Sequence, residues 1–133
     1  MSALERIDYA DGEAALTGWL ARPAGTPRAA VAVFPTFMNS TPGVEAKARA
    51  LAAEGYIAFI ADFYGPDAPH DFESANAAMT RLRTDPVAMR SRLSATLAKL
   101  AKLAPGQPQA AIGFCLGGMA VLELARDGAD LAL

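Results

Sequence analysis

The sequence contains one cysteine, Cys115, and one histidine, His70. A lone cysteine excludes an internal disulfide, and a histidine with no second histidine or cysteine nearby offers no metal-ligand cluster. Positive charge is also scarce: 12 Lys and Arg stand against 14 Asp and Glu, for a net charge of -2. Nucleic acid and anionic membranes call for clustered basic residues, so neither is an expected partner. No apolar run approaches the roughly 20 residues that cross a bilayer. The opening "MSALERIDYADGEAAL" has acidic residues early and no apolar core, unlike a secretory signal. The expected setting is a reducing cytoplasm.

What is present is the material of one globular domain. The 133 residues are 53% hydrophobic and 20% charged, which suits a single core over residues 1–133 and excludes wholesale disorder. Leu4 to Tyr9 and Ala15 to Ala21 are strand-like and flank an Asp11-Gly12 turn signal, so they predict an antiparallel hairpin. "AAVAVFP" (Ala29 to Pro35) and "YIAFIA" (Tyr56 to Ala61) are continuous apolar runs, as in strands buried on both faces. Between them, Val44 to Glu54 has helical spacing and Gly55 is placed to stop it. Two helices are expected between Asp71 and Leu103, split near "TDP". In the second, Leu93, Leu97, Leu100 and Ala101 form the buried stripe, with Arg90, Arg92, Lys99 and Lys102 in water. Ala110 to Phe114 predicts a strand and Leu116 to Arg126 a helix, after which "GADLAL" reads as the start of another strand. Strand and helix alternating after a hairpin imply a mostly parallel α/β sheet with helices on both faces.

The cysteine sits where this pattern is most informative. Gly113-Phe114-Cys115-Leu116-Gly117-Gly118 joins a predicted strand to a predicted helix, which is the nucleophile elbow GxSxG with cysteine in the serine position. The turn is sharp, so Gly113 and Gly117 remove β-carbons that would collide with it. The helix start lowers the energy of a thiolate at Cys115 and offers the Leu116 backbone N–H to an oxyanion. With glycine near 7% of residues, a cysteine flanked by glycine at both elbow positions arises by chance only about 0.5% of the time.

Three blocks resemble the dienelactone hydrolase family of α/β-hydrolases: "GFCLGG" (Gly113 to Gly118), "LAAEGYIAFIADFYG" (Leu51 to Gly65) and "VAVFPTFMN" (Val31 to Asn39). The resemblance implies attack by Cys115 on a small-molecule ester or lactone through a thioacyl-enzyme, with no cofactor. It implies a second oxyanion donor just after the first parallel strand, at the backbone N–H of Phe37. The family's glutamate near this loop corresponds to Thr36, so the thiol must be activated by another route. After Cys115 the chain holds only Glu123, Asp127 and Asp130 as acids, and no histidine. The resemblance is thus to an N-terminal portion of the family domain, apparently truncated in the strand that begins near Ala129, and the chain alone is not expected to be a competent hydrolase. An open sheet edge there is a candidate route to self-association.

Thr36, Asn39, Tyr64 and His70 are candidate substrate-pocket residues, each at a loop following a strand. Asp62, at a strand end, reads as a turn or cap former before it reads as a catalytic acid. Two other readings of the elbow stay open: an inactive fragment or interaction protein that retains it, and a redox-sensing thiol at Cys115.

Overall fold

The computed structural model describes residues 4–67, 69–114, 116–126, 128, 129 and 131. The hairpin forms from β1 (Glu5–Asp11) and β2 (Ala14–Ala21), paired from Glu5↔Leu20 to Asp11↔Ala14. The strands run further than expected and close on a two-residue turn at Gly12 and Glu13, with Gly12 at φ +60°. Asp11 therefore lies in the strand, and its carboxylate is tethered to Arg92 Nε at 3.0 Å. Arg92, expected in water, is for that reason largely buried. It also donates to the Phe63 carbonyl, joining the hairpin tip, its own helix and the loop after a central strand.

Three strands run parallel: β3 (Ala30–Phe34), β4 (Ile57–Ile60) and β5 (Gln109–Gly113). The order across the sheet is β1-β2-β4-β3-β5, with β2 antiparallel to β4. Both faces of β3 are covered. Ala30, Ala32 and Phe34 join Ile57 and Phe59 of β4 in one core cluster, while Val31 and Val33 join Ala58 and Ile60 in a second. The alternation follows from the two-residue period of a strand.

Each cluster is completed by helices. α1 (Pro42–Ala53) closes the second with Val44, Ala48 and Ala52. It begins two residues before Val44 because Pro42 fits the first turn and Thr41 Oγ1 accepts the Val44 N–H at 3.3 Å. Its end is set by Gly55, at φ +98°: the Gly55 and Tyr56 N–H groups return to the carbonyls of Ala52 and Leu51, each at 3.0 Å. The opposite face takes α2 (Phe72–Arg83), α3 (Pro86–Leu103) and α4 (Leu116–Arg126). The buried stripe of α3 is Met89, Leu93, Thr96 and Leu100, and Ala101 is exposed. Leu97 packs against this stripe partly buried, and Thr96 is accommodated within it because its Oγ1 meets Tyr9 Oη at 3.2 Å and the Arg92 carbonyl at 3.2 Å.

No sixth strand occurs among the described residues. Gly128 and Ala129 donate back to Ala125 and Leu124 at the end of α4, and Leu131 donates to Ala129; the rest of the segment expected to start a strand, Asp130, Ala132 and Leu133, lies outside the described residues. The described sheet has β5 and β1 at its edges. No helix is long and apolar enough to cross a membrane among the described residues.

This arrangement predicts where stability resides. Leu93→Ala should destabilise the chain by about 2–5 kcal/mol, whereas exposed Val87→Ala on the same helix should stay within about 0.5 kcal/mol. Urea titration of both variants reads the difference, and equal midpoints would contradict the assignment of α3's buried face.

Candidate active site

The connection from β3 leads to α1 on one face of the sheet, while that from β5 leads to α4 on the other. Adjacent parallel strands whose connections part in this way leave a crevice beyond their carboxyl ends. Two backbone segments meet there. Phe114 N–H donates to the Phe34 carbonyl at 3.1 Å, extending the β3–β5 pairing by one bond, and Gly117 N–H donates to the Phe114 carbonyl at 2.9 Å, closing the strand-to-helix turn.

The glycines are there for room. A β-carbon on Gly113 would overlap the Gly117 carbonyl, and one on Gly117 would overlap the Phe34 carbonyl and lie 2.8 Å from that of Pro35. Gly118 differs, since a β-carbon there meets nothing closer than the Gly113 carbonyl at 4.0 Å. Cys115, Asp127 and Asp130 lie outside the described residues. Leu116 opens α4, where the first-turn amides have no carbonyl of their own helix to bond and concentrate positive potential. Glu123 sits further along α4 and pairs with Arg126 at 3.5 Å.

The loop after β3 approaches the same turn, because Phe34 and Pro35 are the residues against which Gly117 packs. It folds on itself: Asn39 N–H donates to the Thr36 carbonyl at 2.8 Å, and Thr36 Oγ1 accepts the Met38 N–H and donates to the Asn39 carbonyl, both at 3.2 Å. Phe37 N–H has no partner among the described residues. Asn39 adopts φ +67° and is the one described non-glycine residue in the left-handed region. Its Nδ2 donates to Asp62 Oδ1 at 2.8 Å, and its Oδ1 accepts the Phe63 N–H at 3.0 Å. Tyr64 Oη donates to the Phe37 carbonyl at 2.8 Å.

Thus Thr36, Phe37, Asn39 and Tyr64 share one hydrogen-bonded group, with their polar side-chain atoms engaged by protein partners. His70 stands outside it, its imidazole 85% exposed and Nε2 3.5 Å from Asp71 Oδ2. Asp62, only 4% exposed, is the organising residue that the sequence registered merely as a turn former. Its Oδ1 accepts N–H groups from Tyr64 and Gly65 as well as from Asn39, and its Oδ2 accepts from Thr17 at 2.9 Å. Its own N–H donates to Tyr9 Oη at 3.0 Å. Burial raises the pKa of the Tyr9 phenol, which keeps the hydroxyl proton in place. Phe72 went unnoticed in the sequence; its ring stands edge-on to Phe37 at 5.4 Å.

Comparison with known families decides the affiliation, because the model of the dienelactone hydrolase family matches residues 16–132. The chain belongs to the dienelactone hydrolase family. Two solved structures resemble it throughout. A dienelactone hydrolase-like promiscuous phosphotriesterase from metagenomic libraries is 34% identical with a TM-score of 0.90, and a protein designated m3DLH is 35% identical with a TM-score of 0.89. In each case 97% of this chain is covered and 56% of the other, so the chain spans about half the length of these relatives. A dienelactone hydrolase from Anabaena variabilis, 22% identical with a TM-score of 0.69, shares the fold over 90% of this chain and 55% of its own. The mixed sheet with its flanking helices is accordingly an α/β-hydrolase fold. Comparison with curated proteins finds no match.

For this dienelactone hydrolase family member, the three elbow glycines should respond differently to alanine. Gly113→Ala and Gly117→Ala should each cost about 3 kcal/mol or more through backbone overlap, while Gly118→Ala, inside a helix with space around it, should be neutral or stabilising by up to about 1 kcal/mol. Thermal unfolding of the three variants measures this, and a destabilised Gly118→Ala beside a tolerated Gly117→Ala would contradict the packing of the turn.

Proposed function

We propose that the chain carries the acylating half of a hydrolase site for a small ester or lactone, with Cys115 as nucleophile. The thiolate sulfur bonds to the carbonyl carbon, and the negative charge gathers on the former carbonyl oxygen, where the N–H groups of Leu116 and Phe37 receive it. Collapse breaks the bond to the alcohol oxygen, which leaves as alkoxide (or, in a lactone, stays attached at the opened ring) and takes a proton from water, and a thioester remains on Cys115. Water then converts the thioester to a carboxylic acid and restores the thiol.

One observation carries this reading: Gly117 packs on Phe34 and Pro35, bringing the first turn of α4 beside the loop whose Phe37 amide has no partner among the described residues. Donors for an oxyanion have to converge from two segments, and this contact joins the two segments concerned. The hydroxyl of Thr36 is engaged within its own loop and supplies no base. The sequence holds no histidine after Cys115, so the chain by itself should acylate readily and deacylate slowly.

With p-nitrophenyl acetate, the expected outcome is a burst of about one p-nitrophenolate per chain followed by little turnover. Peptide mass mapping should place the acetyl group on Cys115, and Cys115→Ala should abolish the burst. Equal release by Cys115→Ala and the parent chain would overturn the assignment. Reversible oxidation of the thiol by peroxide with no acylation by the ester would favour a sensor instead.

A further inference from the structure

The loop carrying Phe37 is held from outside itself, and the means by which it is held assigns a role to a side chain that the chemistry above does not use. An amide can serve an oxyanion only if the planes of the two peptides around it are fixed, since each peptide is rigid and turns as a unit. Both are pinned here. The Thr36–Phe37 peptide is held by its carbonyl, which accepts the Asn39 N–H at 2.8 Å and so leaves the Phe37 N–H directed to the opposite side. The Phe37–Met38 peptide is held by its carbonyl, which accepts Tyr64 Oη at 2.8 Å.

Asn39, which closes this turn and whose carbonyl accepts the Thr36 hydroxyl, lies in the left-handed region, at φ +67°. That conformation is disfavoured for a residue with a β-carbon, and asparagine is among the residues that visit it. The Asn39 side chain compensates by using both its ends across to the β4 loop, with Nδ2 on Asp62 and Oδ1 under the Phe63 N–H. Asp62 is itself immobilised by the amides of Thr17, Tyr64 and Gly65 and by Tyr9, which is anchored to Thr96 of α3. The chain of contacts runs from the sheet and α3 to the loop with no exposed link at Asp62.

We propose that Asn39, backed by Asp62, is a positioning residue that aims the Phe37 N–H at the elbow, so that loop geometry rather than an additional side chain sets the strength of anion stabilisation. This rests on the reading of Cys115 and Phe37 given above. It also removes Asn39 from the set of substrate-contacting groups, because both of its polar atoms face the protein.

The test compares two reactions of the same sulfur in the full chain. Acylation by p-nitrophenyl acetate passes through an oxyanion, whereas alkylation by iodoacetamide does not. Asn39→Gly keeps the left-handed turn accessible while deleting the bridge. It should slow acylation about ten-fold, short of the ~100- to 1,000-fold that follows outright loss of an oxyanion donor, with alkylation unchanged. Tyr64→Phe, which frees the second peptide plane, should lower the same ratio with the fold intact. Amide exchange supplies a readout independent of chemistry: the Met38 amide should exchange faster in Asn39→Gly while amides of α3 do not. An unchanged acylation-to-alkylation ratio in both variants, with Cys115 of the parent chain acylated, would overturn the positioning role and leave the proposed function standing. If the parent chain is not acylated at all, the proposed function fails, and unaltered Met38 exchange would then overturn the bridge on its own.

Discussion

The structure depends on one backbone contact, that of Gly117 with the carbonyls of Phe34 and Pro35. A strand of this sheet and the helix that follows its neighbour come together without any side chain between them. No other residue type permits such an approach, since even a methyl group would occupy the volume of a carbonyl oxygen. Because β3 lies inside the sheet and is buried on both faces, its end is a rigid platform. The start of α4 at Gly117 is therefore held against the residues that lead into the loop after β3.

Around that contact the polar groups are arranged to avoid loss. Beyond the last β2–β4 pair, Trp19↔Ile60, the two strands part, and the Asp62 carboxylate takes over by accepting the Thr17 N–H. A buried carboxyl group without partners would be costly, but four N–H donors surround this one. Tyr9 and Arg92 extend the arrangement to α3, so the hairpin, α3 and the two loops behave as one hydrogen-bonded unit. The hairpin is thus more than an appendage to the parallel strands; it supplies partners that hold the site's floor in place.

Much of this was legible from residue types. The apolar runs gave β3 and β4 because strands covered on both sides have no reason to alternate, and Gly55 marked the end of α1 because a left-handed residue was needed there. The elbow was legible for the same reason, as its glycines answer a steric demand. The details that escaped arise from pairings between residues far apart in sequence. Arg92 looks like a solvated arginine until Asp11, 81 positions earlier, is found beside it. Thr96 breaks the apolar stripe of α3 because Tyr9 needs a partner, and nothing within the helix reveals that. Asp62 reads locally as a turn residue, which it is, through the Tyr64 and Gly65 amides. Its links to Thr17 and Asn39 require the folded sheet. Just after α4, the Gly128 and Ala129 amides, with Gly128 at φ +81°, bond back to the carbonyls of Ala125 and Leu124, a closure of the helix that local composition did not reveal.

The main-chain character of the proposed anion site has a consequence for how this protein can change. Neither the ring of Phe37 nor the side chain of Met38 is required for the bonds that shape their loop, because those bonds use carbonyls, amides and the side chains of Thr36, Asn39 and Tyr64. On the proposed reading, substitutions at positions 37 and 38 would reshape the wall a substrate meets while the amides proposed to stabilise charge stay where they are. Selectivity would then be uncoupled from chemical competence, and such a scaffold could acquire new substrates by small steps.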